Sequence, residues 1–252
     1  MFPYRDENET QRFAIVTAGI IAVNVLVWLF IQGAGSTLPL ARSVCELGLI
    51  PGELTLTVPP GARFPMGDQL VCLTDPGRQI SHVLTSMFLH GSWMHLLGNM
   101  CFLWIFGNNI EDSMGRLRFV AFYLACGLAA ATGQVWANPN SVIPMVGASG
   151  AISGVMGAYL ILFPTVRVYV LVPIIIFITS IALPAWVILG YWFLIQFISG
   201  MVASRDDMGG VAFWAHVGGF VAGIVLIKFF ARDDYLAAHR AGQWRPRRLM
   251  FD

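Results

Sequence analysis

The sequence predicts an all-α, polytopic membrane helix bundle of six transmembrane helices with both termini in the cytoplasm. Three observations carry that expectation. Of the 252 residues 57% are hydrophobic and only 12% charged, and mean hydropathy is +0.70, a balance that soluble domains do not show. Apolar stretches near the ~20 residues needed to cross a bilayer recur along the chain. The basic residues, finally, gather on one side of a six-span arrangement. A net charge of +1 and the lack of a basic stripe with interleaved aromatics exclude nucleic acid as a partner.

Residues 1–12 form a charged cytoplasmic segment, and a membrane domain is expected over 13–230. The first span, 13–33, has span length and no small-residue cleavage site, so it is read as an anchor that stays. A long polar connection over about 34–80 follows on the outer side and carries Cys45 and Cys72. These two are either a disulfide, if that side is oxidising, or two free thiols. The second and third spans, 92–108 and 117–136, hold Cys101 and Cys126 as small apolar fillers, and the fourth covers 149–164.

From Val168 to Met201 the chain is apolar throughout, too long for one span, and interrupted by Pro173 and Pro184. It reads as one span preceded by an interfacial segment, or as two spans. Charge decides between them. With six spans the inner side collects Arg5, Arg12, Arg116, Arg118, Arg167, Lys228, Arg232, Arg240, Arg245, Arg247 and Arg248, and the outer side only Arg42, Arg63, Arg78 and Arg205. A seventh span would export the arginine-rich tail. The fifth span is therefore 184–203, with Pro184 in its first turn, where proline is best tolerated, and the sixth is 211–230. The basic tail, 231–252, is expected to be a solvated inner-face anchor against anionic lipid.

Spans two, four and six all start on the outer side. His95 and Asn99 lie near the start of the second, Ser149 at the start of the fourth, and His216 about 9 Å along its helix from Gly210. The four polar residues thus share a depth close to the outer surface. Ionisable groups within a bilayer are costly and mark functional sites, and a serine with a histidine at one depth is a candidate nucleophile and base. His95 and Asn99, at i and i+4, project from one helix face, an arrangement that suits donors of an oxyanion hole. All 14 acidic residues fall outside the spans, so a Ser–His dyad is expected and not a three-member triad. There is no HExxH, cysteine cluster or carboxylate among the histidines, so neither a metal nor a cofactor is expected.

Each residue also has a plainer role. His216 alone would more often be a helix–helix hydrogen-bonding residue than a catalyst. Gly154, Gly157, Gly219 and Gly223 read first as a small-residue packing face between spans four and six; that contact would also bring the serine to the imidazole. His90 precedes its span and is expected to tie down the outer connection. The aromatic fifth span (Trp186, Tyr191, Trp192, Phe193) and the connection Ser204 to Gly210 are candidates for a side gate and a cap.

Three strings now stand in order: His90-Gly-Ser-Trp-Met-His95-Leu-Leu-Gly-Asn99, Gly147-Ala148-Ser149-Gly150, and Ala215-His216-Val217-Gly218-Gly219 with Gly223. Together, over roughly residues 80–225, they resemble the rhomboid intramembrane serine proteases in their six-span bacterial form. The resemblance implies that Ser149 is the nucleophile and His216 the general base. His95, Asn99 and the backbone N–H of Ser149 would form the oxyanion hole. It further implies an endopeptidase acting on transmembrane protein substrates near the outer surface of the cell membrane; the alternative is a non-catalytic relative that binds membrane clients. Two positions depart from the family pattern. Ser81-His82 stand where a Trp-Arg pair is common, and Ser153 stands where an aromatic often backs the histidine, so another side chain has to hold His216. A transporter is disfavoured, because such proteins place carboxylates in their spans. Oligomeric state is not legible.

Overall fold

The computed structural model describes residues 2–66, 70–174, 177–203 and 211–243. Among these the chain is mostly helical, and helices coincide with all six expected apolar stretches. A short strand, β1 (Phe2–Asp6), precedes α1 (Ile15–Leu26), which continues as a π-helical turn to Ile31. The long polar connection folds as α2 (Thr37–Leu47), α3 (Pro51–Thr55), the hairpin β2 (Arg63–Pro65) and β3 (Val71–Leu73), and the short α4 (His82–Thr85). Then come α5 (Trp93–Phe102), a π turn (Leu103–Gly107), α6 (Asn108–Met114), α7 (Arg116–Ala137) and α8 (Ser149–Leu162). Strands β4 (Arg167–Ile174) and β5 (Phe177–Pro184) lead into α9 (Ala185–Val202), α10 (Phe213–Phe230) and α11 (Asp233–Gln243). Helices α7, α9 and α10 are long and apolar enough to cross a membrane, and the Ile15–Ile31 and α8 helices are shorter apolar ones.

The ambiguous apolar stretch resolves as a β-hairpin followed by one helix. Val, Ile and Thr are enriched from Val168 to Pro184, as strands prefer. The hairpin finds its third strand in the N-terminal segment, in the antiparallel order β1-β4-β5 with Phe2 opposite Leu171 and Asp6 opposite Val168. The inward residues Val168 and Val170 are fully buried. Helix α9 then starts at Ala185, directly after Pro184. Two small sheets are thus added to a helical bundle.

In the long polar connection Cys45 and Cys72 are joined by a disulfide, their Cα atoms 5.7 Å apart. At the opposite end a set of buried polar groups fastens the termini. Glu111 caps the start of α1, accepting from the backbone N–H of Val16 and Thr17 and from the Thr17 hydroxyl at 2.7–3.0 Å, as a carboxylate at a helix N-terminus should. His239 of α11 is buried, with Nδ1 3.0 Å from Asp112 and Nε2 2.8 Å from Asn8. The expected solvated tail is therefore corrected as far as Gln243: it is a helix docked on α6, because His239 finds a polar partner inside the protein. Residues 244–252 lie outside the described residues. Tyr159, at the lower end of α8, donates its hydroxyl to Asp6 at 2.6 Å. Burial pushes the Asp6 carboxyl up to about 6, against hydrogen bonds from Tyr159 and nearby backbone that lower it.

Candidate active site

The site begins with glycine. Every residue of α8 from Gly150 to Tyr159 is buried, and a Cβ at each of its glycines would meet backbone of α10 within 4 Å. A Cβ at Gly219 would overlap the carbonyl of Gly150, one at Gly223 the carbonyl of Gly154, and one at Gly157 the carbonyl of Phe220. Gly154 is also closed off by Cys126, and at Gly150 a Cβ would lie 2.6 Å from that of Ala130. Helices α8 and α10 therefore touch backbone to backbone, as small-residue faces allow. This contact positions the first two functional groups: His216 Nε2 lies 2.7 Å from Ser149 Oγ.

His95 stands on the same cavity. Ser92 caps α5 by accepting from the His95 N–H at 3.1 Å, which sets the residue in the first turn. The Gly91 N–H donates to His95 Nδ1 at 3.3 Å. Nδ1 is thus the acceptor of the neutral ring, and the proton sits on Nε2. That nitrogen faces Gly147, where a Cβ would come within 2.8 Å of His95 Nε2 and 3.4 Å of Ser149 Oγ. Gly147 also has φ +131, which side chains rarely adopt. Glycine is required there on both counts, and the Gly147 N–H is held by the Ser86 carbonyl at 2.9 Å. Asn99 is buried on the same cavity, and its Nδ2 has no hydrogen-bond partner among the described residues. A buried donor left so costs about 1–3 kcal/mol unless an acceptor arrives.

The cavity holding these groups has a volume of about 690 Å³, and no acidic side chain lines it among the described residues. Trp192 and Gln196 of α9 also line it. The Trp192 ring lies 5.7 Å from that of His216, tilted by 40°. One turn on, Gln196 Oε1 is 2.7 Å from His216 Nδ1. An aromatic does back the histidine, then, but from another helix than the one that Ser153 occupies. Ser153 instead donates its hydroxyl to the Ser149 carbonyl at 2.6 Å. Trp192 and Phe193 face inward, against His216 and Phe220, whereas Trp186 and Tyr191 face outward. The expected cap, Ser204 to Gly210, lies outside the described residues.

His90 is fully buried but not beside the dyad. Its backbone N–H and carbonyl are both clamped by the Gln32 side chain at 2.8 Å, and its ring packs edge-on to His95, 5.1 Å between centroids. Burial, helped by the neighbouring His95, pushes the His90 ring down to about 3, so it is neutral. It ties the end of the first apolar helix to the start of α5. His82, one of the two positions that depart from the expected pattern, is buried at the end of the long connection, and that burial lowers the pKa of its ring. Among the described residues no group of three or more His, Cys, Asp or Glu is gathered as a metal site. Sequence reasoning missed Gln196. Its signal was the one it gave for His216: a lone polar side chain inside an otherwise apolar span.

Apolar helices enclosing a serine, an imidazole and two further donors in one cavity define a multi-pass membrane protein with a serine–histidine site. Comparison supplies the family: a family model described as Rhomboid domain matches residues 77–233, and the chain belongs to that family. It is 28% identical over 170 residues to the mitochondrial rhomboid protein 1 of Saccharomyces cerevisiae, covering 64% of this chain and 46% of the relative. It is 34% identical over 155 residues to rhomboid-like protease 5 of Toxoplasma gondii, 58% of this chain and 16% of the relative. With the rhomboid protease GluP of Bacillus subtilis it shares 33% identity over 167 residues, 66% of this chain and 28% of the relative. The chain spans less than half the length of each of these relatives.

Proposed function

We propose that the chain is an intramembrane serine endopeptidase that cleaves transmembrane proteins near the outer face of a cell membrane. The observation that carries the proposal is the 2.7 Å approach of Ser149 Oγ to His216 Nε2 on a cavity of about 690 Å³. Ser149 attacks the scissile carbonyl while His216 takes its proton, and the developing oxyanion receives hydrogen bonds from His95 Nε2, Asn99 Nδ2 and the Ser149 N–H. The imidazolium then protonates the leaving amine as the C–N bond breaks. Water, deprotonated by the same imidazole, hydrolyses the acyl-enzyme and frees Ser149. The substrate helix has to unwind at the cut, because a helical carbonyl is already engaged in a hydrogen bond.

Six spans with both termini inside put the dyad on the outer side. The Cys45–Cys72 disulfide supports that orientation, since disulfides persist in oxidising compartments. Reconstitution in liposomes with a transmembrane substrate tests the proposal. The parent is expected to release one pair of fragments cut near the outer surface, and Ser149→Ala none. An intact substrate beside well-folded parent protein would contradict it and favour a client-binding relative.

A further inference from the structure

Resting on the dyad proposed above, we infer that Gln196 is the positioning residue that fixes the working tautomer of His216, and that helix α9 thereby arms the site. A neutral imidazole carries one N–H, and which nitrogen holds it depends on the partners offered. For Ser149 to be deprotonated, Nε2 must be bare and Nδ1 protonated. His216 Nδ1 faces a carbonyl oxygen, Gln196 Oε1, at 2.7 Å. That oxygen is acceptor-only, so the proton belongs on Nδ1 and the Nε2 lone pair points at the serine hydroxyl. When Nε2 takes the serine proton, the same Nδ1–H bond becomes charge-assisted and strengthens. Gln196 thus does with a neutral amide what a carboxylate does in a three-member triad. In a membrane this avoids burying a charge.

The site contains a control. His95 takes the opposite tautomer because its Nδ1 meets a donor, the Gly91 N–H at 3.3 Å. Two histidines on one cavity are set to opposite protonation patterns by one hydrogen bond each, as base and as donor.

Gln196 sits on the least buried of the three long apolar helices α7, α9 and α10. Trp192 and Gln196, four residues apart, face His216, while Trp186, Tyr191, Leu194 and Ile198 on the other side of α9 are exposed. Among the described residues Gln196 is the one hydrogen-bond partner of His216 Nδ1. Displacing α9, as lateral admission of a substrate helix would do, withdraws the acceptor from His216, and the return of α9 restores it.

The test uses the full-length protein with Gln196→Met, which keeps the shape and removes the acceptor, and Gln196→Glu, which keeps an oxygen at the same reach. Turnover of a transmembrane substrate in liposomes is read beside ¹⁵N NMR of histidine-labelled protein in micelles, with the His216 signal assigned by its loss in His216→Ala. The inference expects Gln196→Met to lower kcat about 10–100-fold, the scale of losing a group that orients another. KM stays within about twofold and Tm is unchanged, and Gln196→Glu recovers most of kcat. The NMR signal reads Nδ1–H in the parent and a tautomer mixture in Gln196→Met. A parent already in mixed tautomers, or a Gln196→Met variant that turns over like the parent, overturns it. So does an equal kcat loss in both variants accompanied by a lower Tm, which marks mere packing. An inactive parent with His216 held as the Nδ1–H tautomer refutes the protease reading alone.

Discussion

Helices α8 and α10 form one solid block; α9 leans on it. In the first pair the glycine faces bring backbones into contact, and a side chain at Gly219 or Gly223 has nowhere to go. Helix α9 meets the bundle through a narrow stripe (Ala185, Ile188, Leu189, Trp192, Gln196, Gly200) and exposes large apolar side chains elsewhere. The difference divides the labour. Nucleophile and base sit on the two helices whose backbones touch, and packed interiors resist deformation. Gln196, inferred to orient the base, sits on the more exposed helix. Residue placement thus puts the serine and the histidine on the tightly packed pair and the amide that faces the histidine on the exposed helix.

The contrast is broken most severely by filling the block. Gly219→Leu drives a side chain into the Gly150 carbonyl; overpacking of this kind costs about 1–3 kcal/mol or more. It should lower Tm and abolish turnover together, readable by thermal melting and a cleavage assay on the same preparation. Removing a donor should instead separate chemistry from stability. Asn99→Ala is expected to lower kcat roughly 10²–10³-fold while Tm holds or rises, because a buried donor without a partner is removed. On the outward side of α9, Ile198→Ala should leave kcat within about twofold and stability within about 0.5 kcal/mol.

The far end of α8 offers the smallest and most specific test. The Asp6 carboxyl, raised to about 6 by burial, is held through Tyr159. A raised acid binds its proton more readily folded than unfolded, so between about pH 4 and 6 the folded state holds more protons. Its contribution to stability is fully present below the unfolded value and is lost as pH rises through 6. Asp6→Asn should flatten this part of the stability–pH curve while leaving the cleavage rate alone, as urea titrations across that range would report.

Much of this was legible in the sequence. The six apolar stretches appear as helices within a few residues of their expected bounds, since length and hydropathy are local properties. Ser149, His216, His95 and Asn99 meet on one cavity, because each is a polar residue near the same end of its span. What escaped depended on distant partners. The hairpin from Arg167 to Pro184 is apolar enough to pass for membrane until β1, some 165 residues earlier, is seen to pair with it. His239 looks like a solvated tail residue until Asp112 is found beside it. Gln196 was visible as an isolated amide in an apolar helix, but only the packing of α9 against α10 shows that its amide faces His216.

The central claim is that Ser149 is an activated nucleophile whose base is His216. Mass-spectrometric mapping of a fluorophosphonate adduct on the purified protein tests it most directly, beside Ser149→Ala and His216→Ala variants of equal thermal stability. The account predicts an adduct on Ser149 of the parent and none on either variant. A folded parent that takes no label, or one that keeps its label when His216 is removed, would contradict it.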